Sequence, residues 1–244
     1  MLHPPRLNKE SMMKSIDQLQ SGAISLIKQT MPLTPVQLKY PFPVRPGRML
    51  GLIKIDGQVY RSKKFNRAVL MQIHFPVFMK VYSTFLAPKI EYDLPVFLCE
   101  AVKMGNKRVF IVDAHKGGAG GEKQYDDFFD RLLEIRGRYP ELMKYQKVAA
   151  KGISSVNSKA VCQVKIPCEL DEQAISIFTE YLSAYMELIK TSEPLTGNAL
   201  EKIKASFKEY LVTVVDHDPG IKGNILFFGR QQGIERALDI FYGV

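Results

Sequence analysis

Between Tyr92 and Asp113 the chain reads Tyr-Asp-Leu-Pro-Val-Phe-Leu-Cys-Glu-Ala-Val-Lys-Met-Gly-Asn-Lys-Arg-Val-Phe-Ile-Val-Asp: two apolar strands joined by a tight turn at Met104-Gly105-Asn106. Connections of this hairpin kind favour antiparallel over parallel pairing, so the segment commits the middle of the chain to an antiparallel sheet. Alternation puts Val96, Leu98, Glu100 and Val102 on one face of the first strand, and Phe97, Cys99 and Ala101 on the other. A lone glutamate on an apolar face has two explanations. Either it meets solvent or an ion-pair partner, or it sits in a pocket where desolvation raises its pKa and makes it a proton donor.

The flanking sequence supplies helices and further strands. Residues 11–30 carry Met12, Met13, Ile16, Leu19, Ala23, Ile24 and Ile27 at three- and four-residue spacing, the pattern of an amphipathic helix. Met31-Pro-Leu-Thr-Pro stops it, and Tyr40-Pro-Phe-Pro-Val-Arg-Pro forms an extended segment in which helix is disfavoured. Met49 to Tyr60 alternates around Asp56-Gly57, a hairpin signal. Lys63 to Met71 follows Ser62, an N-cap residue type, and is predicted as helix, with His74 near its end as a structural residue. Val77 to Leu86 and Ser158 to Ile166 read as strands. Tyr125 to Tyr139, Leu170 to Ile189 and Ala199 to Val215 read as helices, and Ile221 to Tyr242 carries helical spacing around Phe228-Gly229. Strands clustered in the middle and bracketed by helices predict an α+β fold, an α/β/α sandwich with a central antiparallel β-sheet flanked by helices. We expect one domain over residues 1–244, with residues 1–48 forming an N-terminal helix and a Pro-rich extended segment.

Composition narrows the class. A chain of 244 residues, 46% hydrophobic and 24% charged, can bury one sizeable core. No apolar run approaches the length of a membrane span, and the N-terminus lacks the apolar centre of a signal peptide. Cys99, Cys162 and Cys168 make an odd set without metal-ligand spacing, which predicts reduced thiols in a cytoplasmic protein and no metal site. Gly117-Gly-Ala-Gly-Gly121 lacks the Gly-Lys-Ser/Thr ending of a phosphate-binding loop. The net charge of +9 is spread along the sequence, without the aromatic interleaving of a nucleic-acid site. It either serves solubility or steers an acidic protein partner onto the surface.

Several short segments, in order, carry a resemblance. Tyr60-Arg-Ser-Lys-Lys-Phe-Asn-Arg looks like a Tyr-x-Ser/Thr-x-x-Phe-Arg segment, and Leu94-Pro-Val-Phe-Leu-Cys-Glu100 looks like Leu-Pro-Ile-Phe-Gly-Cys-Asp. Ile111-Val-Asp113 matches the strand end that follows, and His217-Asp218 with Phe228-Gly229 is similar to an Asn-Asp…Phe-Gly ending. From about Val59 to its C-terminus the chain thus resembles the ferredoxin-dependent bilin reductases and their relative, red chlorophyll catabolite reductase. The resemblance implies an open-chain tetrapyrrole held between the sheet and the C-terminal helices, with no bound cofactor. On the same resemblance, reduced ferredoxin is expected to supply single electrons to the pigment and side chains the protons, so that the protein need only position and protonate a conjugated substrate.

Carried over residue by residue, the resemblance puts Glu100 at the bilin reductases' central Asp, where the chlorophyll-catabolite enzyme has Glu. It puts Asp218 at the second carboxylate, in a loop reaching the substrate. Glu100 is then the more buried proton donor and Asp218 the mobile one. A His-x-Glu pair of one branch corresponds to Val69 and Met71 here, and that branch's strand histidine corresponds to Ser83. The basic residue that holds a propionate is Pro219 here, leaving Lys165, Lys222 or Arg230 as substitutes. His115 either caps a turn or lines the pocket, Asp113 reads as a turn former bonding nearby backbone, and His217 is placed to relay protons. The resulting expectation is a ferredoxin-dependent oxidoreductase of a biliverdin-like bilin, with Glu100 and Asp218 catalytic and Ser83, Asp113, His115, Lys165, His217, Lys222 and Arg230 toward the substrate. A tetrapyrrole carrier without reductase activity, a red chlorophyll catabolite reductase-like enzyme and a plain basic interaction domain are the alternatives.

Overall fold

The structure, a computed structural model, describes residues 15–76, 79–115, 125–147 and 153–244. Its centre is a seven-stranded sheet in the order of the sequence, β1-β2-β3-β4-β5-β6-β7, antiparallel throughout. The strands are β1 (Thr34–Pro35), β2 (Lys54–Arg61), β3 (Phe65–His74), β4 (Met79–Pro88), β5 (Val96–Met104), β6 (Lys107–His115) and β7 (Cys162–Pro167). The β5–β6 hairpin closes on the two residues Gly105-Asn106, with Met104 opposite Lys107. Gly105 takes φ +53° there, the left-handed backbone that primed hairpin turns require.

Helices cover both faces. On one side lie α1 (Leu19–Thr30), α2 (Asp126–Gly137), the short α3 (Pro140–Met143) and α4 (Asp171–Thr191). They bury Phe97, Cys99, Ala101, Phe110 and Val112 of the central strands. Tyr185 of α4 stacks on Phe97 at 5.1 Å and donates its hydroxyl to the Pro95 carbonyl at 2.6 Å. At the C-terminus of α4, Lys64 Nζ donates to the carbonyls of Ile189 and Ser192, each at 2.7 Å, satisfying acceptors that a helix end leaves open. On the other side lie α5 (Gly197–His217), α6 (Pro219–Phe228), α7 (Arg230–Ala237) and a π-helical turn, Leu238–Tyr242. Among the described residues no helix is long and apolar enough to cross a membrane.

Several local expectations change. Residues 63–71 are not helix: Lys63 and Lys64 lie in the β2–β3 turn and Phe65 begins β3. Ser62 does accept the N–H groups of Lys64 and Phe65, as an N-cap would, yet its own N–H returns to Phe65 O and closes the β2–β3 turn. The run Ala68 to Met71 is buried on both faces, which erases the periodicity that separates strand from helix. His74 therefore ends a strand, with Nε2 3.2 Å from Gln72 Oε1. Asp56-Gly57 makes no turn either, because β2 runs straight through it. Glycine is needed there for space: a Cβ on Gly57 would lie 2.9 Å from Leu70 O and 3.1 Å from the Phe42 ring. The last strand begins at Cys162 rather than Ser158. Met12, Met13, Val77 and the run Gly117–Gly121 lie outside the described residues.

The C-terminal turn is tied back to β3. Asn66 Nδ2 donates to Tyr242 O and Arg67 Nε to Asp239 O at 2.9 Å, with an Arg67–Asp239 ion pair at 3.4 Å. Gly243 follows at φ +73°, with Arg67 2.7 Å from where its Cβ would stand. These bonds hold Phe241 and Tyr242 over the sheet.

Candidate active site

The side chains that β5 and its neighbours direct away from α4 do not pack into a solid layer. Register places Ser83 of β4 opposite Glu100 of β5, Glu100 opposite Ile111 of β6, and Ile111 opposite Gln163 of β7. Together they floor a cavity of ≈ 170 Å³. Phe85 and Leu98 extend the floor; Val214, Asp218, Pro219, Gly220 and Ile221 of α5 and α6, with Phe241 and Tyr242, form the roof. Ile153, Asn157 and His115 close one side. Phe85 packs edge-on against Phe241 and Tyr242 at 5.1 and 5.2 Å, so the lining is largely aromatic and aliphatic.

Two carboxyl groups far apart in sequence meet here. Glu100 lies deep in the protein mass but keeps an open side toward the cavity. Burial raises its pKa to about 7, the charge of Asp218 pushes in the same direction, and a long 3.4 Å hydrogen bond from Ser83 Oγ opposes them weakly. Asp218 occupies the one-residue junction between α5 and α6 and caps α6, accepting from Ile221 N at 3.0 Å. Burial raises its pKa as well; the Ile221 and Gly220 N–H groups and Lys222 oppose that. The cap ties its backbone to the first turn of α6. Burial thus favours the protonated form of both carboxyl groups where they face the cavity.

Of the other sequence candidates, Ser83 and His115 reach the cavity. His115 is buried, with Nδ1 2.9 Å from Tyr210 Oη, and desolvation lowers its pKa to about 4. Asp113 is no turn residue: it is fully buried within β6. Its carboxylate accepts from Ala114 N at 2.8 Å, Ser158 N at 3.0 Å and Ser158 Oγ, tying the segment that carries Ile153 and Asn157 to the sheet. Lys165 lies on the cavity side of β7 but is exposed beyond Gln163, outside the lining. His217, the last residue of α5, is exposed. Lys222 and Arg230 line a neighbouring cleft of ≈ 240 Å³ with Val215, Asp216, Ile225 and Ile234. The structure thus brings together Glu100, Asp218, Ser83 and His115, and leaves Lys165, His217, Lys222 and Arg230 outside.

Sequence reasoning missed Gln163, Tyr210 and Tyr242. The alternation of Cys162-Gln163-Val164-Lys165-Ile166 marks Gln163 as off the apolar face and could have found it. Nothing local marks the tyrosines, which belong to a long amphipathic helix and a terminal turn. Among the described residues no group of three or more His, Cys, Asp or Glu is placed to hold a metal.

Known proteins share this architecture. The chain is 21% identical over 179 residues to a phycoerythrobilin:ferredoxin oxidoreductase of Prochlorococcus marinus strain MIT 9312, covering 71% of this chain and 70% of the relative. It is also 21% identical over 180 residues to the protein of that name from strain MIT 9301, covering 71% and 70%. The fold matches the crystal structure of phytochromobilin synthase from tomato in complex with biliverdin, with a TM-score of 0.76 at 18% identity over 94% of this chain and 83% of that one. A family model described as ferredoxin-dependent bilin reductase matches residues 20–233, and the chain belongs to that family of oxidoreductases.

Proposed function

We propose that this protein reduces an open-chain tetrapyrrole of the biliverdin type, bound between the sheet and α5–α6, with electrons from reduced ferredoxin. The observation that carries the reading is the convergence of Glu100 and Asp218 on one apolar cavity, each with its pKa raised by burial. A carboxyl group with a pKa of about 7 is half protonated at neutral pH, the condition for an efficient general acid. Reduction of one double bond takes two electrons and two protons. The pigment accepts an electron, its radical takes a proton from Glu100, a second electron follows, and Asp218 delivers the second proton. Both carboxylates recover their protons from solvent. Ser83 reaches Glu100 through a long hydrogen bond, and the aromatic roof excludes water from the radical.

The room of ≈ 170 Å³ lies below the range of about 300–1,000 Å³ in which pockets enclose drug-sized ligands. Uptake of a tetrapyrrole therefore moves the roof outward, with α6 and the terminal turn as its parts. The surplus of positive charge suits an acidic electron donor, steering encounter more than setting affinity. The test mixes purified protein with biliverdin and then adds reduced ferredoxin. Binding gives a red-shifted, structured absorption spectrum, and turnover bleaches or blue-shifts it. Binding without turnover makes the protein a carrier, and an unchanged spectrum removes the tetrapyrrole reading altogether.

A further inference from the structure

His115, Tyr210 and Tyr242 form a buried hydrogen-bonded chain, and both of its ends face the cavity. His115 Nδ1 is 2.9 Å from Tyr210 Oη, which is 3.3 Å from Tyr242 Oη. His115 and Tyr242 line the cavity and Tyr210 does not. All three residues are at most 5% exposed. Among the described residues, the hydrogen bond that fixes the His115 ring is made through Nδ1 to Tyr210.

Counting protons shows what the chain offers. Burial lowers the pKa of His115 to about 4, so near neutral pH the imidazole carries one proton and each tyrosine carries one. Two of these protons make the internal bonds and one remains for the cavity. If Tyr242 donates to Tyr210 and Tyr210 to His115 Nδ1, then Nε2–H points into the cavity as a donor and the Tyr242 oxygen is the acceptor. If Nδ1–H donates to Tyr210 and Tyr210 to Tyr242, the Tyr242 hydroxyl is the donor and Nε2 the acceptor. In both arrangements the cavity meets one donor and one acceptor, exchanged between the two ends.

We propose that this chain recognises a terminal lactam ring of the tetrapyrrole. A ring lactam presents a carbonyl acceptor beside an N–H donor on one edge, which is the complement of one donor and one acceptor in either arrangement. A propionate carboxylate, with acceptors only, is not matched. Tyr210 touches no ligand and acts as a positioning residue, coupling the tautomer of His115 to the hydroxyl of Tyr242. The inference rests on the cavity being the tetrapyrrole site, and it locates an end of the pigment at His115 and Tyr242.

The experiment titrates wild-type protein, Tyr210→Phe and Tyr242→Phe with biliverdin and with its lactim ether, in which methylation of a terminal carbonyl oxygen removes the adjacent N–H donor. Wild-type protein is expected to prefer biliverdin by about ten-fold, the equivalent of one hydrogen bond in a buried site. Both variants should lose that preference and shift the long-wavelength band of bound biliverdin, because the pigment's lactam loses its fixed partners. A wild-type preference and spectrum retained in both variants overturn the proposal, whatever happens to thermal stability. Failure of wild-type protein to bind either pigment is a separate outcome that sinks the cavity assignment, and the lactam proposal with it. Should Tyr210→Phe fail to fold, Tyr242→Phe breaks the chain at its other end and decides alone.

Discussion

Cys99 and Glu100 are adjacent in β5, yet they belong to two different regions of the molecule. Cys99 points toward α4, into a layer with Phe97, Phe110 and Val112 that is closed and apolar. Glu100 points toward α5 and α6, among Ser83, Gln163 and, further along the sheet, Asp113 and His115. The same strands thus supply a stabilising face and a chemical face, divided by the two-residue period of the pleat. Burial acts on both with opposite usefulness. It pushes the Cys99 thiol far up, which keeps it inert, and it pushes Glu100 up to about 7, which suits it to the proposed donation of a proton.

Substitutions on the two faces should therefore separate stability from chemistry. The largest effect is expected for Glu100→Gln: turnover falls by about 10²–10⁴-fold, the contribution of a general acid, while pigment binding persists. Rapid mixing with reduced ferredoxin should leave a pigment radical visible by electron spin resonance, and normal turnover would remove Glu100 from its role. Phe97→Ala, on the opposite face, should cost about 3–5 kcal/mol in denaturant unfolding, the range for truncating a buried aromatic. A loss of turnover at intact stability in that variant would erase the distinction between the faces.

Next in size is the pH dependence of stability. Glu100 has a folded pKa of about 7 against an ordinary value of 4.5, so between these values the folded state binds more protons and stability falls as pH rises. His115, lowered from 6.5 to about 4, binds fewer protons when folded, and stability rises with pH across that window. The two slopes oppose each other where the windows overlap. Glu100→Gln should unmask the rising slope in unfolding titrations from pH 4 to 7; an unchanged profile would contradict the burial of Glu100.

Asp218 caps α6 and is proposed to donate a proton, and two substitutions can split the one from the other. Asp218→Asn keeps the cap of α6, since Asn and Asp cap equally well, and should alter the product profile with little change in stability. Asp218→Ala should also lose about 1 kcal/mol from the missing cap. An unaltered product profile in both would leave Asp218 as a cap alone. The smallest effect belongs to the closed face: Lys64→Met removes the cation at the C-terminus of α4 and should cost about 1 kcal/mol in thermal unfolding, with turnover unchanged.

Much of this was legible in the linear chain, for reasons that are local. The β5–β6 turn needs a residue tolerant of positive φ, and Gly105 declared it. The apolar stripes of α4 and α5 fixed two long helices to within a few residues. What misled was equally physical. Ser62 makes the N–H bonds of a cap while closing a hairpin, and Gly57 is present for clearance in mid-strand rather than for a turn. Asp113 looks like a turn former at a strand end until Ser158, far along the chain, meets its carboxylate.

The sequence by itself determined the antiparallel sheet, its helical cover and the isolation of Glu100 on an apolar face, because pleat alternation and helical spacing are written residue by residue. Tertiary structure alone decided that Asp218 would share a cavity with Glu100, that Lys222 and Arg230 would turn to a different cleft, and that Tyr210 would join His115 to Tyr242. Glu100 and Asp218, and His115 and Tyr210, are each more than ninety positions apart in the chain. Burial and charge coupling arise only when such elements close on one another, so no local pattern encodes them.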